Sequence, residues 1–384
     1  MSDNKELKPG WKIWRFDQMA TNVNVRIDNP SESGMKHYVG LEHLDADSLK
    51  IRRWGTPDDV EATKLLFKKG DIIFGRRRAY QRKLGVAEFD GICSAHAMVL
   101  RAKPDVVLPE FLPFFMQSDL FMKRAVEISV GSLSPTINWK TMAIQEFVLP
   151  PLKEQQRAVH FLSAVEDQSE AVRQAFTAAT KLRRSIALDA FSRSEYPTVK
   201  MGTVAEIRNG STPRRATDAY WKGDIPWLPT GKVNERVIRS ADEFITEKAL
   251  SECSLALIPA GATLVAMIGE GQTRGRAAML AIDSCINQNF GAVIPSSTLD
   301  PWYLFYLLES NYEALRHWSQ GTNQRALSCG LLKSYPIPVP PLEVQRELVG
   351  KLKDMEAAER RLAVRLDMTN EMRRVAHLKA LVME

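Results

Sequence analysis

Arginine-rich segments are the part of this sequence whose residue types point most directly to a chemistry. Residues 75–83 follow a predicted strand, and five of those nine residues are cationic. Arginine forms paired hydrogen bonds with guanine or phosphate, and the amides of glutamine and asparagine suit adenine. The segment therefore predicts nucleic-acid contact through Arg76, Arg77, Arg78, Tyr80, Gln81, Arg82 and Lys83.

Comparable polar segments occur elsewhere in the chain. Two of them combine arginine with glycine, serine and threonine, whose small side chains let a backbone approach a nucleic-acid strand. Their candidate residues are Arg208, Ser211, Thr212, Arg214, Arg215, Gln272, Arg274 and Arg276. Further polar candidates are His96, Ser132, Ser134, Asn138, Asn287, Gln288, Asn289, Asn323, Gln324 and Arg325. A solvated basic face and ordinary turn chemistry are the competing interpretations.

Motifs for catalysis or metal binding are not found in the sequence. There is no phosphate loop of the Walker type and no GxSxG nucleophile elbow. The six histidines and four cysteines show no HExxH or CxxC spacing. We therefore expect a chain that catalyses no reaction itself and holds no metal or cofactor.

An internal repeat organises the positions of these polar segments. The sequence Pro-Pro-Leu-x-x-Gln at residues 150–155 recurs at 340–345, an offset of 190. Four more segments recur in the same order at offsets of 190 to 192; they are 70–74 with 261–265, 90–96 with 282–288, 109–118 with 301–310, and 131–138 with 321–328. The chain is therefore predicted to contain two copies of one structural unit.

Each half is predicted to contain a mixed α/β domain. Short apolar strands bounded by turn residues are expected at 71–74, 97–100, 146–149, 264–268, 291–294 and 335–339. One amphipathic helix is expected in each half, over 110–128 and over 301–318. The aromatic residues of these helices favour core packing, and a platform for stacking bases is the alternative; they are Phe111, Phe114, Phe115, Trp302, Phe305 and Tyr306.

A long helix is predicted after each Pro-Pro-Leu, from 152 to about 192 and from 342 to the C-terminus. Each helix would be about 60 Å long. Apolar residues recur at steps of three, four or seven; they are Val159, Leu162, Val165, Val172, Phe176, Ala179, Leu182 and Ile186, then Leu348, Leu352, Met355, Leu362, Leu366 and Met372. Such a seam needs a partner, so we expect an antiparallel two-helix coiled coil rather than two helices docked separately.

The predicted domain organisation alternates domains and helices. The first domain spans 1–150, the first spacer helix 151–193, the second domain 194–340 and the second spacer helix 341–384. The 384 residues carry 52 Lys and Arg against 46 Asp and Glu, a net charge of +6 that permits a nucleic-acid partner. The polar start and the absence of a long apolar stretch predict a cytoplasmic protein with no membrane segment.

At this point the chain resembles the specificity (S) subunits of type I restriction–modification systems. The resemblance is carried by the duplicated half, by the Gly-Asp-Ile-Ile-Phe segment at 70–74, by the segment 208–227 and by the two Pro-Pro-Leu-x-x-Gln motifs. The first half departs from it, because its opening lacks the Ser-Thr-Pro turn of residues 211–213.

The resemblance implies that DNA recognition and catalysis belong to different subunits. Each domain would be a target recognition domain, and the two together would bind a two-part asymmetric sequence of double-stranded DNA with a fixed gap. The helices would dock two methyltransferase (M) subunits, which restriction/translocase (R) subunits join. S-adenosylmethionine, ATP and Mg would be used by those partners. A scaffold that binds only proteins, and a restriction–methylation enzyme with an unrecognised motif, are the alternatives.

Overall fold

The computed structural model of the chain describes residues 7–192, 195–269, 271–318 and 326–381. The chain divides into two compact units. Unit 1 contains the described residues up to Arg173 and those from Val364 onward, and unit 2 contains those from Gln174 to Ala363. Each division falls inside a long helix, so each unit holds part of both long helices.

Two four-stranded sheets form the body of unit 1. Its strands are β1 (Lys12–Arg15), β2 (Ala20–Val23), β3 (Arg26–Ile27), β4 (Tyr38–Val39), β5 (Lys64–Phe67), β6 (Ile72–Gly75), β7 (Leu84–Val86), β8 (Gly91–Ser94), β9 (Ala97–Ala102) and β10 (Glu146–Leu149). The sheet orders are β2-β9-β6-β7 and β3-β5-β8-β4, and β1 pairs with β10 separately. Strands β6 and β9 pair antiparallel, with Ile72 opposite Leu100.

The helices of unit 1 cover the apolar face of the first sheet. They are α1 (Phe16–Met19), α2 (Phe111–Gln117), α3 (Asp119–Glu127), α4 (Trp139–Ala143) and the first part of α5 (Leu152–Ser192). The single helix predicted over 110–128 is wrong, because Ser118 is extended and its hydroxyl caps α3 by accepting from the Phe121 amide. Phe111 and Phe115 are fully buried, which confirms the core interpretation.

Unit 2 is also built on two sheets, one of five strands and one of three. Its strands are β11 (Thr198–Lys200), β12 (Ala205–Asn209), β13 (Trp221–Leu228), β14 (Val237–Ile238), β15 (Glu243–Ile245), β16 (Thr263–Ala266), β17 (Ala277–Leu280), β18 (Cys285–Ile286), β19 (Phe290–Pro295) and β20 (Pro336–Pro338). The sheet orders are β12-β19-β16-β17-β14 and β15-β13-β18, with β11 paired to β20. Strands β16 and β19 repeat the antiparallel pairing of β6 and β9.

Four helices of unit 2 also pack on its larger sheet. They are α7 (Pro301–Ser310), α8 (Tyr312–Trp318), α9 (Cys329–Ser334) and the first part of α10 (Leu342–Leu381), whereas α6 (Glu247–Glu252) packs on the smaller sheet through Ala249. The helix predicted over 301–318 is interrupted at Asn311, which caps the C-terminus of α7. Phe305 and Tyr306 are buried in the core and Trp302 is partly buried against it. The predicted mixed α/β fold, its six strands and both long helices are confirmed.

Helices α5 and α10 pair antiparallel within each unit. In unit 1, Ser169 lies 3.4 Å from Asn370, and Glu166 lies 3.3 Å from Arg373. Residue numbers rise along one helix as they fall along the other, which defines an antiparallel pair. The predicted pairing of the two helices is thereby confirmed inside this unit.

An equivalent ion pair occurs in unit 2, where the arginine is on α5 and the glutamate is on α10. Arg183 of α5 lies 3.9 Å from Glu356 of α10 and 2.8 Å from Glu359. Arg183 and Glu356 are the repeat equivalents of Arg373 and Glu166, each 190 residues away. Charged residues therefore occupy these positions between the two helices. Leu182 and Met372, which precede Arg183 and Arg373 and were predicted to lie in the apolar seam, are 56% and 47% exposed. Their assignment to the buried seam is wrong.

Candidate nucleic-acid interface

Three segments that are distant in sequence meet where strand β6 ends in unit 1. The amide of Arg78 donates to the carbonyl of Pro135 at 2.7 Å, and the amide of Ile137 donates to that of Arg76 at 2.9 Å. The guanidinium of Arg76 donates to the carbonyl of Ala95, 3.0 Å away in the β8–β9 turn. Residues 76–78, 94–96 and 134–137 thus form one surface, the loop edge of unit 1.

Ser134 organises the arginines of this loop edge. Its hydroxyl oxygen accepts hydrogen bonds from Arg77 at 3.2 Å and from Arg78 at 3.1 Å. A neutral hydroxyl cancels no charge, so both guanidinium groups keep their full positive charge at the surface. The serine and arginine candidates of the first half are therefore brought together as one group.

The loop edge of unit 1 is positively charged. Burial lowers the pKa of His96, and the nearby cations Arg77, Arg76 and Lys64 lower it further. His96 is consequently neutral at pH 7 and can donate or accept a hydrogen bond. The adjacent guanidinium groups of Arg76 and Arg77 form a site suited to phosphate.

Lys64 is a member of this cluster that sequence reasoning missed. It opens strand β5, is only 7% exposed, and its pKa is lowered by burial. Its ammonium group lies over the ring of Tyr38, 5.8 Å from the centroid. A lysine at the start of an otherwise apolar strand, Lys-Leu-Leu-Phe, was the available signal.

Other candidates of the first half are engaged within unit 1. Arg82 pairs with Asp47 and with Asp119, the latter at 3.0 Å. The ammonium of Lys83 donates to the carbonyl of Leu41 at 2.7 Å. These contacts give both cations a structural role, and DNA contact through them stays a prediction.

The remaining candidates of the first half are placed as follows. Asn138 caps α4 by accepting from the Lys140 amide at 3.1 Å. Gln81 ends the short turn Ala79–Gln81, and Tyr80 inside that turn is 55% exposed. Ser132 is exposed on the segment that leads to Ser134. Tyr80 and Ser132 are therefore available to a ligand.

Unit 2 brings its own polar segments together. The amide of Ser211 donates to the carbonyl of Ile286 at 3.0 Å, and the hydroxyl of Thr212 donates to Gln288 at 2.6 Å. The amide of Met267 donates to the carbonyl of Asn289 at 2.9 Å. Residues 209–215, 267–269, 271–276 and 286–289 thus form the loop edge of unit 2. The carbonyl of Met267 also accepts from the Leu327 amide at 2.9 Å, as the carbonyl of Arg76 accepts from the Ile137 amide in unit 1.

Gly210 makes the close approach within this loop edge possible. A Cβ atom at this position would lie 1.7 Å from the carbonyl oxygen of Ile286. No side chain fits at that distance, so the glycine of the Asn-Gly-Ser-Thr-Pro turn is required by its backbone neighbour.

Arg215 is held by aromatic rings and a carboxylate. Its guanidinium lies 4.1 Å from the ring centroid of Trp221 and 4.9 Å from that of Trp227. It also pairs with Glu243. Arg208 similarly pairs with Glu206, whereas Arg214 is exposed and contributes its backbone carbonyl to the indole N–H of Trp221. Among these three arginines, Arg214 is the one whose guanidinium is not paired with a carboxylate of the described residues.

The remaining candidates of unit 2 divide into surface and interior residues. Arg276 donates to Asn234 at 2.6 Å and to Gln272 at 3.1 Å, and it stays at the surface. Arg274 and Asn287 are each 7% exposed, and the Asn287 amide bonds to the hydroxyl of Thr230. Asn323, Gln324 and Arg325 lie outside the described residues.

A buried glutamine ties each unit's globular body to its helix. The Gln155 side chain accepts from the Leu108 amide at 2.9 Å and donates to the carbonyls of Val106 and Pro150, each at 3.0 Å. In unit 2, Gln345 accepts from the Asp300 amide at 2.8 Å. It donates to the carbonyls of Thr298 at 3.0 Å and Pro340 at 2.7 Å. The last residue of the Pro-Pro-Leu-x-x-Gln motif thus fixes the start of each helix.

Two negative findings apply to the described part of the chain alone. Across residues 7–192, 195–269, 271–318 and 326–381, no cluster of three or more His, Cys, Asp or Glu is placed to hold a metal ion. Within the same ranges, no helix combines the length and the apolar character needed to cross a membrane.

Comparison with known sequences gives the chain a family. The family described as "Type I restriction modification DNA specificity domain" matches residues 28–175 and 193–363, one region in each half. The specificity subunit of the type I restriction enzyme MjaIX of Methanocaldococcus jannaschii is 32% identical over 41% of this chain. That of EcoDI from Escherichia coli is 30% identical over 49%. These matches span 37% and 44% of the two relatives' own lengths, less than half of each.

Two solved structures share the fold over nearly the whole chain. One concerns complex assembly and conformational transition of the type I R-M system; its TM-score is 0.63 at 22% identity, covering 98% of both chains. The other is the S subunit of a type I restriction-modification system from M. genitalium; its TM-score is 0.58 at 14% identity, covering 100% of this chain and 99% of the other. With two matched regions that together cover most of its residues, this chain belongs to the type I restriction modification DNA specificity domain family.

Proposed function

We propose that the chain is the specificity subunit of a type I restriction–modification complex and reads a two-part DNA sequence. The loop edge of each unit contacts one half of the target. The convergence of Arg76, Arg77 and Arg78 with the segments of Ala95 and Ser134 carries this proposal, because three segments that are distant in sequence build one positive surface. Phosphate contacts of this kind set the register of a protein on DNA and supply much of its affinity.

We assign recognition of the DNA bases to the accessible polar side chains around the cations. In unit 1 these are Arg78, Tyr80 and Ser132; in unit 2 they are Thr212, Arg214, Gln288 and Arg276. Arginine and glutamine provide the donors that recognise guanine and adenine edges in the major groove. The two loop edges share the backbone hydrogen bond at the equivalent positions Arg76 and Met267 but differ in these side chains. This is expected of one scaffold that recognises two different half-sites.

The long helices would dock the partner subunits. Val364, Met368 and Met372 of α10 are 59%, 67% and 47% exposed, and they recur at steps of four along one face. Such a stripe favours docking of another chain. We assign it to the methyltransferase subunits, two of which would bind, with the restriction subunits joining them. Methylation and cleavage, with S-adenosylmethionine, ATP and Mg, would belong to those partners.

Selection from a random duplex library tests this proposal. The chain, alone and with its methyltransferase partner, is mixed with the library, and bound DNA is sequenced. We expect two short motifs separated by a constant gap. Binding of the partner without any enrichment of sequence would indicate a protein scaffold. Methylation or cleavage by the chain alone, given S-adenosylmethionine or ATP and Mg, would indicate an enzyme.

A further inference from the structure

An arginine forms a second attachment between body and helix in unit 1. The guanidinium of Arg52 binds Glu170 of α5, whose side chain is 10% exposed. The same guanidinium bonds to Asp45 at 3.2 Å and to Ser48 at 2.8 Å, so it is anchored in the body. Glu170 lies 15 residues beyond Gln155, which is about 22 Å along a helix.

Unit 2 contains a matching attachment. Arg236 binds Glu309 of α7 and Glu356 of α10, and Glu356 is 10% exposed. Its guanidinium also lies 5.1 Å from the ring centroid of Phe305. Glu356 is 11 residues beyond Gln345, about 16 Å along the helix.

The backbone around Arg236 holds this side chain firmly. Arg236 has a φ of 59°, in the left-handed region that a non-glycine residue adopts only at a cost. Its carbonyl accepts from the Met279 amide at 2.8 Å. Local strain of this kind persists only where the surrounding contacts maintain it, and here those contacts are the two glutamates.

Both arginines come from the same part of the fold but from different positions in it. Lys50 forms a parallel bridge with Val86, and Val237 pairs in parallel with Met279 in unit 2. Arg52 lies two residues after the bridging residue Lys50, whereas Arg236 lies one residue before the bridging residue Val237. The two halves therefore contain the same kind of attachment at positions that are not equivalent, which argues for a requirement common to both units.

Two separated attachments between a body and its long helix fix the angle between them, which a single attachment would leave free to change. The apolar contacts of Leu162 and Val165 in unit 1, and of Val349 and Leu352 in unit 2, have no fixed direction, so with them and the glutamine alone the body could still tilt on the helix. A second, largely buried ion pair further along the helix prevents this, because breaking it would leave a charge without its partner in a poorly hydrated place. The loop edge of each unit is thereby held at one angle to its helix.

We propose that Arg52 and Arg236 are positioning residues that set the gap length accepted between the two DNA half-sites. This inference rests on the proposed function. If either arginine is lost, the corresponding loop edge can swing, and duplexes with other gaps become acceptable. The side chains that read bases are unchanged, so the half-site sequences should be recognised as before.

The test measures binding of the full chain, with its methyltransferase partner, to duplexes whose gap differs by one or two base pairs. Wild type should prefer one gap. Arg52→Met and Arg236→Met should reduce that preference roughly fivefold to tenfold, while a duplex with an altered half-site is still rejected. Lys351→Ala is the matched control, because its pair with Glu347 is exposed on the same helix α10.

The outcomes separate this inference from the proposed function. If wild type binds no two-part target, the proposed function fails. If wild type prefers one gap and both methionine variants keep that preference, the positioning role is wrong. Should either variant not fold, Glu170→Gln and Glu356→Gln decide the matter, because they retain the side-chain shape and weaken the ion pair. Unchanged gap preference in these two variants would equally overturn the inference.

Discussion

Gln155 and Gln345 form the same three hydrogen bonds, each within its own unit. The two residues are 190 positions apart in the repeat, and their side chains are 1% and 0% exposed. Each joins the loop before an aromatic helix to the first turn of a long helix. The relationship shows that the repeat preserves a junction as well as a fold.

Replacing either glutamine by leucine should destabilise its unit. The substitution leaves a buried amide and two carbonyls without partners, and each such group costs about 1–3 kcal/mol. Urea unfolding of Gln345→Leu should show a clear loss of stability. Gln168→Leu is the control, since that residue is exposed on α5. Equal stability of the two variants would contradict this role.

Neutralising the cations of unit 1 should weaken binding at all sequences alike. Each phosphate contact contributes about one unit to the slope of log affinity against log salt. Arg76→Gln with Arg77→Gln should therefore flatten that slope by up to about two units. Arg374→Gln removes one charge from an exposed pair and is the control. A salt slope like that of wild type would exclude this loop edge from the interface.

Gly210→Ala should disturb the loop edge of unit 2 alone. The added methyl group would lie 1.7 Å from the Ile286 carbonyl oxygen, so the turn must move. Affinity for a target with the second half-site intact should fall at least about tenfold. Gly231→Ala is the control, because nothing lies within 4 Å of its added Cβ. Similar affinities for both variants would show that the turn takes no part in binding.

His377 should make unit 1 sensitive to acid. Burial, together with the cations Arg373 and Arg82 and against the opposing effect of Asp47 and Asp119, lowers the pKa of His377 to about 4. The unfolded chain therefore binds the proton more readily than the folded chain, and stability falls as the pH drops from about 6.5 towards 4. His377→Ala should reduce this pH dependence; Ala187, its repeat equivalent, is also buried. Identical pH profiles of unfolding free energy would contradict the assignment.

Sequence reasoning found the features that depend on local pattern. The repeat predicted two similar domains, and each Pro-Pro-Leu marked the start of a long helix, at Leu152 and at Leu342. The apolar runs located six of the twenty strands of the described residues to within one or two positions. These features depend on periodicity and on turn chemistry, both of which are readable from a single chain.

Contacts between distant residues could not be predicted in this way. Arg82 and Asp119 are 37 residues apart, and Arg215 and Glu243 are 28 apart, so no local pattern indicates that these cations are paired. Lys64 opens a strand that was not predicted, Lys64–Phe67, and the capping by Ser118 competes with an otherwise continuous helical pattern. The loop edges were predicted as separate segments, and only the fold shows which of them meet.

The central claim is that the paired helices set the distance between two independent readers. Seven residues inserted after Arg173 and again after Ala363 would lengthen both helices by about 10 Å and keep the seam nearly in register. At about 3.4 Å per base pair, the selected DNA gap should grow by about three base pairs with both half-site motifs unchanged. Selection of altered half-site motifs at the original gap would contradict the account.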